Sequence, residues 1–357
     1  MQVESIPNPT TAVPPPPRPR VARPGLLNFG LFFAATAWYF CARAIAESAS
    51  RGLAMRFDLS DAQPLVQAAL LLFLVVVGFA LLRVIEHRDA PLRDAIGLPK
   101  RATAGAEWAT GAAIGWGLAV AAILPMVVTR GLSVHLWTAP RAFELAGFSL
   151  ATLAIATLAR DVGVFGYGFQ RLVDAMGPVR ATILMAVFAA IDHSLDAAGS
   201  SAVITIAVLT AVLVSLCWLR THAVWLTWGL HFAWAAAAGV LFGLPLGGDT
   251  SFSSVVDARA AGPLWLTGGV YGPAAAGISI LLALAAIPIL VKVTSDWAWD
   301  YTRKPIVAAG YDVTIAPPAA HVAMEQAALA AAPAAAGALV QILPVTPQGR
   351  TVGGSSE

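Results

Sequence analysis

The chain has 357 residues, of which 58% are hydrophobic and only 12% are charged, a charged share about half that of an average soluble domain. This composition excludes an ordinary soluble enzyme. It also excludes a chain that is disordered over most of its length, because disordered chains are poor in apolar residues and rich in charge. The net charge of +2 is too small to indicate binding to nucleic acid. We therefore expect an integral membrane protein whose first partner is the lipid bilayer.

The chain begins with a polar, proline-rich segment over 1–25, for which we expect a mobile, extended conformation. Apolar runs follow, each close to the length of about 17–25 residues that carries a helix across a bilayer. The first two make an N-terminal pair over 26–91, and a larger domain follows over 92–292. The last segment, 293–357, is rich in alanine and proline and is predicted to be a poorly packed tail. The predicted spans are 26–46, 64–85, 107–128, 143–170, 179–195, 201–219, 222–242 and 270–292.

Lysine and arginine residues indicate how these spans are oriented, because positively charged loops are retained on the cytoplasmic side. With the N-terminus inside, the inner segments collect most of the positive charges, among them Arg18, Lys100 and Lys292. The outer segments hold fewer, among them Arg43 and Arg141. The sequence therefore predicts an all-α, polytopic bundle of about eight transmembrane helices in the cell membrane, with both termini in the cytoplasm.

A small-residue motif marks the third predicted span. Gly111 and Gly115 form a GxxxG pair, which in membrane helices lets two backbones approach closely. We predict that this face packs against another helix of the bundle.

Few charged or imidazole side chains lie inside the predicted spans: Arg160 and Asp161 in the fourth, Asp192 and His193 in the fifth, and His231 in the seventh. Such groups are costly in a bilayer and usually face the interior of a bundle. At a rise of about 1.5 Å per residue they come to similar depths, so we expect one shared cavity. Two structural alternatives stay open, a buried ion pair between Arg160 and Asp161 and hydrogen-bonded core imidazoles.

Metal and cofactor chemistry has little support in the sequence. Two histidines with a carboxylate could in principle bind zinc, but there is neither a third nearby histidine nor an HExxH spacing. The sequence also lacks a GxSxG nucleophile elbow and a phosphate-binding glycine loop. We expect neither a metal nor a cofactor.

Several stretches carry a family resemblance. They are AIGL at 95–98, RDVGVFGY at 160–167, FAAIDH at 188–193, HFAWA at 231–235, FGLP at 242–245 and LTGGVYGP at 266–273. Over roughly 92–292 the chain resembles the CPBP family of CAAX proteases and bacteriocin-processing proteins, which are intramembrane glutamate-type endopeptidases. The second, third and fourth stretches stand where that family has its EExxxRG(F/Y), FxxxH and HxxxN motifs.

The resemblance implies a site in which several family residues are replaced. In the family, the first glutamate and the first histidine activate water, and the second histidine and the asparagine stabilise the oxyanion. Because a guanidinium stays protonated, it cannot act as the base that replaces the first glutamate. The motif positions here are His193, His231, Asp161 and Arg160 for catalysis, and Asp192, Phe165 and Ala235 as residues that line the cavity.

Three functional hypotheses follow from this pattern. The first is a pseudoenzyme with a CPBP-like core that binds a peptide, a prenylated chain or a membrane-protein partner in the intramembrane cavity. The second is an active, divergent intramembrane endopeptidase, a hydrolase that uses His193 and His231 with Asp161 or Asp192. The third is a transporter in which the buried Arg160 and Asp161 form a substrate or proton site.

Overall fold

The computed structural model describes residues 25–86, 91–195, 200–249, 252, 255–302 and 319–331. The predicted N-terminal tail lies outside the described residues apart from its last position, as does most of the predicted C-terminal tail. The chain divides into two units, Met1–Arg303 and Lys304–Glu357. The second unit contributes one described helix, Ala319–Ala331, and every feature below belongs to the first unit.

The described part of the first unit is a helical bundle with one small sheet. Its helices are α1 (Gly25–Phe57), α2 (Gln63–Glu86), α3 (Leu92–Ala95), α4 (Ala104–Val128), α5 (Pro140–Asp161), α6 (Tyr167–Met176), α7 (Pro178–Ser194), α8 (Ser201–Thr221), α9 (Trp225–Ala235), α10 (Leu264–Thr267), α11 (Gly277–Val293) and α12 (Ser295–Thr302). Two π-helical segments continue α5 and α9: π1 (Val162–Gly166) joins α5 to α6, and π2 (Ala236–Leu241) follows α9.

The structure confirms a helical membrane bundle at a coarse level. Five helical segments in the described residues are long and apolar enough to cross a membrane: Gly25–Phe57, Gln63–Val84, Ala104–Val128, Pro140–Met176 and Ser201–Thr221. The other three predicted spans coincide with α7, with α9 and π2, and with α11, all of which are shorter. The count of eight spans stays a prediction.

A two-stranded antiparallel sheet was not expected from the sequence. Strand β1 (Leu132–Leu136) pairs with β2 (Val256–Ala260), and the register places Leu132 opposite Ala260. The sheet joins the connection between α4 and α5 to the long segment between π2 and α10. It therefore holds these two connections together.

Glycines set the closest helix contact in the bundle, between α4 and α9. A Cβ on Gly111 would come within 2.0 Å of the carbonyl oxygen of Leu226, and one on Gly115 within 2.1 Å of the carbonyl oxygen of Leu230. On the facing helix, a Cβ on Gly229 would meet the backbone of Trp108 at 2.1 Å. The contacts advance in the same direction along both helices, so α4 and α9 run parallel. The predicted close packing of the GxxxG face is confirmed.

The last predicted span begins at 270, whereas α11 begins at Gly277. Two further boundaries differ for a shared reason. The first predicted span ends at 46, whereas α1 continues to Phe57, so residues 47–57 lie inside a helix and not in a loop. The predicted tail begins at 293, yet α12 lies there and Trp297 packs against the buried cluster that contains Cys217. In both places polar residues within a helix make the end of the apolar run a poor guide to the end of the helix.

Candidate functional site

Asp161 and His231 form a buried polar pair between α5 and α9. The side chain of Asp161 is fully buried, that of His231 is 11% exposed, and Nδ1 of His231 lies 2.7 Å from Oδ1 of Asp161. A carboxylate oxygen accepts hydrogen bonds, so Nδ1 of His231 donates to Asp161, and Nε2 is the ring nitrogen that this bond does not use. The structure thus brings together two residues that the sequence analysis assigned to different motifs.

The segment between α3 and α4 fixes the start of α9. The backbone N–H of Val224 donates to the carbonyl oxygen of Gly97 at 2.8 Å, and the indole N–H of Trp225 donates to the carbonyl oxygen of Pro99 at 3.1 Å. Gly97 has φ +83°, and its Cα region packs directly against Gly166, so glycine is required for both the conformation and the contact. This junction holds α9 at a defined height beside π1.

Trp228 ties α9 to α5 one turn before His231. Its indole N–H donates to the carbonyl oxygen of Ala154 at 2.9 Å. Together with the bond between His231 and Asp161, this contact fixes both the rotation and the height of α9 against α5. The side chains of the pair are therefore positioned by packing on two sides, from α4 and from α5.

A π-helical segment follows each half of the pair. Segment π1 begins directly after Asp161, and π2 begins directly after Ala235, four residues beyond His231. Isolated π-helical turns within α-helices are rare and occur frequently at functional sites. Each inserted turn rotates the rest of its helix, so Asp161 and His231 can face each other while the following residues pack in the core.

Arg160 does not form the buried ion pair that was one of our structural alternatives. Its side chain is exposed, whereas the neighbouring Asp161 is fully buried and hydrogen-bonded to His231. Consecutive residues on a helix diverge by about 100°, which separates the two side chains. The cation at the position of the family's first glutamate therefore points away from the pair.

His193 and Asp192 lie at the end of α7, apart from any direct bond to the pair. Nδ1 of His193 donates to the carbonyl oxygen of Ala189 at 3.0 Å, and the nearest carboxylate oxygen of Asp192, a 60% exposed side chain, is 3.8 Å away. The alternative in which Asp192 orients His193 therefore lacks a hydrogen bond. Phe188 precedes His193 by five residues, one more than the FxxxH spacing.

Phe165 and Ala235, the other two predicted cavity residues, have different surroundings. Phe165 is buried in π1 and its ring packs edge-on against Phe169 at 5.7 Å between centroids. An apolar side chain thus occupies the position that the resemblance aligns with a motif arginine. Ala235 lies one turn after His231 on α9 and is partly buried. Its methyl side chain has no hydrogen-bond donor, so it cannot stabilise an oxyanion.

Tyr39 on α1 is a site residue that the sequence analysis missed. Its ring lies against π1, where a Cβ on Gly163 would come within 2.3 Å of it. Tyr39 lies outside the region of family resemblance, and its only sequence signal was a polar side chain in an apolar helix.

The pair is separate from a cavity of about 710 Å³ at the sheet end of the bundle. That cavity is bordered by Trp137, Gly243, Asp257, Arg259 and Thr267 among others, and none of the predicted site residues lines it. Within the described residues no group of three or more metal-ligating side chains comes together. We place the candidate site at Asp161 and His231 because it combines burial with specific polar geometry.

Comparison of the chain with models of known protein families, with curated proteins and with solved structures finds no match. Functional inference therefore rests on the residues of this chain and their arrangement.

The chemistry available at the pair comes from two polar atoms that its internal hydrogen bond does not use. Oδ2 of Asp161 and Nε2 of His231 are both buried and have no hydrogen-bond partner among the described residues. Buried polar atoms are nearly always hydrogen-bonded, to protein, water or ligand. Oδ2 of Asp161 is complementary to an N–H or O–H donor, and Nε2 in the uncharged form of His231 is complementary to such a donor or to a water molecule that it would deprotonate.

Proposed function

We propose that this chain is a CPBP-like integral membrane protein that binds a polypeptide partner at the pair formed by Asp161 and His231 without hydrolysing it. The partner is a peptide, a prenylated chain or a membrane protein. The proposal includes a CPBP-like core over 92–292, eight spans and cytoplasmic termini in the cell membrane.

The proposed absence of hydrolysis is inferred from one observation. The carboxylate that remains at the motif, on Asp161, is bonded to His231 at 2.7 Å, and the position before it holds an exposed arginine. In the family this preceding position supplies the base that activates water. A guanidinium cannot accept that proton, and the asparagine position, at Ala235, supplies no donor to an oxyanion.

The helix directions support the eight-span arrangement. In such a topology the third and seventh spans run in the same direction, as α4 and α9 do. The first and fourth spans run in opposite directions, as α1 and α6 do, because Gly25 lies next to Ala175 while Tyr39 lies next to Gly163.

Photo-crosslinking from the site tests the proposed binding. A photoreactive phenylalanine analogue would replace Ala235 in the full-length protein in phosphatidylcholine nanodiscs. The probe is a biotinylated apolar peptide of about 22 residues with a central glutamine. We expect a crosslink to intact peptide that is lost with Asp161→Ala and kept with the matched Asp192→Ala. Equal crosslinking in all three proteins would contradict the proposal.

A second candidate function, a divergent endopeptidase, is favoured by the orientation of His231. Asp161 accepts a hydrogen bond from Nδ1, and the buried Nε2 has no partner among the described residues. A carboxylate orients a histidine that acts as a general base in this way. This function predicts cleavage of membrane peptides that Asp161→Asn abolishes and Asp192→Asn preserves. Cleavage that is equal in the two variants, or absent from the parent protein, would exclude it.

A further inference from the structure

The cavity of about 710 Å³ borders strand β2 and lies apart from the pair formed by Asp161 and His231. Its volume falls within the range of about 300–1,000 Å³ that is typical of small-ligand sites. The border contains one acid, Asp257, one base, Arg259, and one aromatic ring, that of Trp137, while the other bordering residues are mostly small or apolar. Selection of a ligand here therefore depends mainly on these three side chains.

The two-stranded sheet holds the three side chains close together. Asp257 and Arg259 lie two positions apart on β2, a spacing that places side chains on the same face of a strand about 7 Å apart. The register sets His135 of β1 opposite Asp257, and the ring of His135 packs against that of Trp137 at 4.9 Å between centroids. Ala258 faces the other side of the sheet, where it is buried in an apolar cluster.

The charges of Asp257 and Arg259 are not used within the part of the chain that the structure describes. Both side chains are exposed, and neither makes an ion pair or a side-chain hydrogen bond there, with each other or with another residue. An acid and a base that stay apart on one strand present two separate charges of opposite sign. Such an arrangement is complementary to a ligand that carries an anionic group next to a cationic one.

The ends of the neighbouring helices place the cavity near a membrane surface. Helix α4 is long and apolar enough to cross a membrane, and β1 begins at Leu132, four residues after α4 ends at Val128. The next segment of spanning length begins at Pro140, three residues after Trp137. The sheet thus lies between two candidate spans, at the level where tryptophan is enriched in membrane proteins.

Exposed apolar side chains flank the cavity along the chain. Each lies within three positions of a residue that borders the cavity, and they are Leu136, Leu264, Trp265 and Val270. Exposed apolar surface around a polar site is typical of a membrane or ligand contact. An entirely polar ligand would leave this surface uncovered, so we expect a ligand that also carries hydrocarbon chains.

We propose that the cavity binds the headgroup of phosphatidylethanolamine, a phospholipid that carries a phosphate and a primary ammonium group. The guanidinium of Arg259 donates hydrogen bonds to the phosphate, and the carboxylate of Asp257 accepts N–H donors of the ammonium group. The indole of Trp137 lies beside the headgroup, and the acyl chains lie along the exposed apolar side chains.

This assignment predicts discrimination between phospholipids. The quaternary ammonium group of phosphatidylcholine has no N–H to donate to Asp257. Phosphatidylglycerol carries the phosphate but no ammonium group, so its negative charge would lie next to the unpaired carboxylate of Asp257, which costs affinity. The inference is independent of the proposed function, because none of the residues proposed to contact a polypeptide borders the cavity.

Lipid titration followed by native mass spectrometry tests the proposal on the full-length protein in detergent. The probes are phosphatidylethanolamine, phosphatidylcholine and phosphatidylglycerol with identical acyl chains, and soluble glycerophosphoethanolamine. For the first bound lipid, we expect phosphatidylethanolamine to bind about tenfold more tightly than either other lipid, the effect of one hydrogen bond to a charged group. Glycerophosphoethanolamine is expected to bind at least about tenfold more weakly than the lipid, because it buries no apolar surface.

Variants assign the preference to the two charges. Asp257→Ala is expected to remove the preference for phosphatidylethanolamine over phosphatidylcholine and to improve binding of phosphatidylglycerol. Arg259→Gln is expected to weaken all three lipids. Unfolding midpoints in lipid-free detergent should match the parent protein, since both side chains are exposed. The matched controls are Asp94→Ala and Arg93→Gln, an adjacent exposed acid and base on α3, and they are expected to change nothing.

Two results would overturn the headgroup assignment: equal binding of the three lipids by the parent protein, or a preference that survives in Asp257→Ala. If glycerophosphoethanolamine binds as tightly as the lipid, the ligand is a soluble phosphate ester and the assignment to a lipid is wrong. Failure of polypeptide binding at Asp161 and His231 would leave each of these results unchanged, so the two proposals are tested separately.

Discussion

Asp161 and His231 are 70 residues apart in the chain, and a hydrogen bond of 2.7 Å joins them in the interior of the bundle. The bond links α5 to α9 where each helix gives way to a π-helical turn. The helices are held at this point by glycine contacts from α4 and by the indole of Trp228. The pair therefore depends on packing from three helices.

The bond between Asp161 and His231 is expected to stabilise the fold. Replacement of either residue by alanine leaves its partner buried without a hydrogen bond, at a cost of about 1–3 kcal/mol. A double-mutant cycle with Asp161→Ala and His231→Ala is expected to give a coupling energy of about 1–3 kcal/mol. The free energy of unfolding of each protein is measured by reversible denaturation in detergent. Strictly additive effects would mean that the two side chains do not interact in the folded protein.

The α4–α9 contact is expected to be intolerant of a single methyl group. Gly229→Ala and Gly111→Ala each place a Cβ about 2 Å from a backbone carbonyl oxygen, and overpacking of this kind costs about 1–3 kcal/mol. Gly117 also lies on α4, but a Cβ added there would have no other atom within 4 Å. Gly117→Ala is therefore the matched control. Thermal unfolding should separate the variants, with lower midpoints for Gly111→Ala and Gly229→Ala and no loss for Gly117→Ala.

His222, between α8 and α9, is expected to make stability depend on pH. Partial burial lowers the pKa of its imidazole, and the nearby guanidinium of Arg101 lowers this pKa further. The folded state therefore favours neutral His222, so its contribution is fully present above about pH 6.5, the unfolded value, and falls as pH decreases through the lowered folded pKa.

The variant His222→Asn isolates this effect. Asparagine tolerates the left-handed backbone of this position, where φ is 49°, and it does not titrate. Unfolding midpoints measured at about pH 7.5 and about pH 5 should fall more for the parent protein than for the variant. Equal losses in the two proteins would assign the pH dependence to other groups.

Much of the fold could be predicted from the sequence because long apolar runs indicate membrane helices directly. Every predicted span coincides with a helical segment, and the GxxxG pair at Gly111 and Gly115 identified a close contact. The sheet was not accessible, since β1 and β2 are five residues each and pair across more than a hundred residues. Short strands that depend on a distant partner leave little periodic signal.

The site was only partly accessible for a different reason. Depth along a helix follows from residue counting, so the polar residues could be placed at a common level. Rotation about the helix axis does not follow from counting when π-helical turns intervene, and it decides that Asp161 points inward and Arg160 outward. Tyr39 was missed because its packing against Gly163 depends on a contact between distant segments of the chain.

Equilibrium binding of the glutamine-centred spanning peptide to the full-length protein in nanodiscs tests the central claim most directly. We predict that the parent protein and Asp192→Ala bind the peptide equally and release it intact. Asp161→Ala should bind at least about tenfold more weakly, since loss of a hydrogen-bonding pair of this kind costs about 1.4 kcal/mol or more. Undiminished binding by Asp161→Ala, or recovery of cleaved peptide from the parent protein, would contradict it.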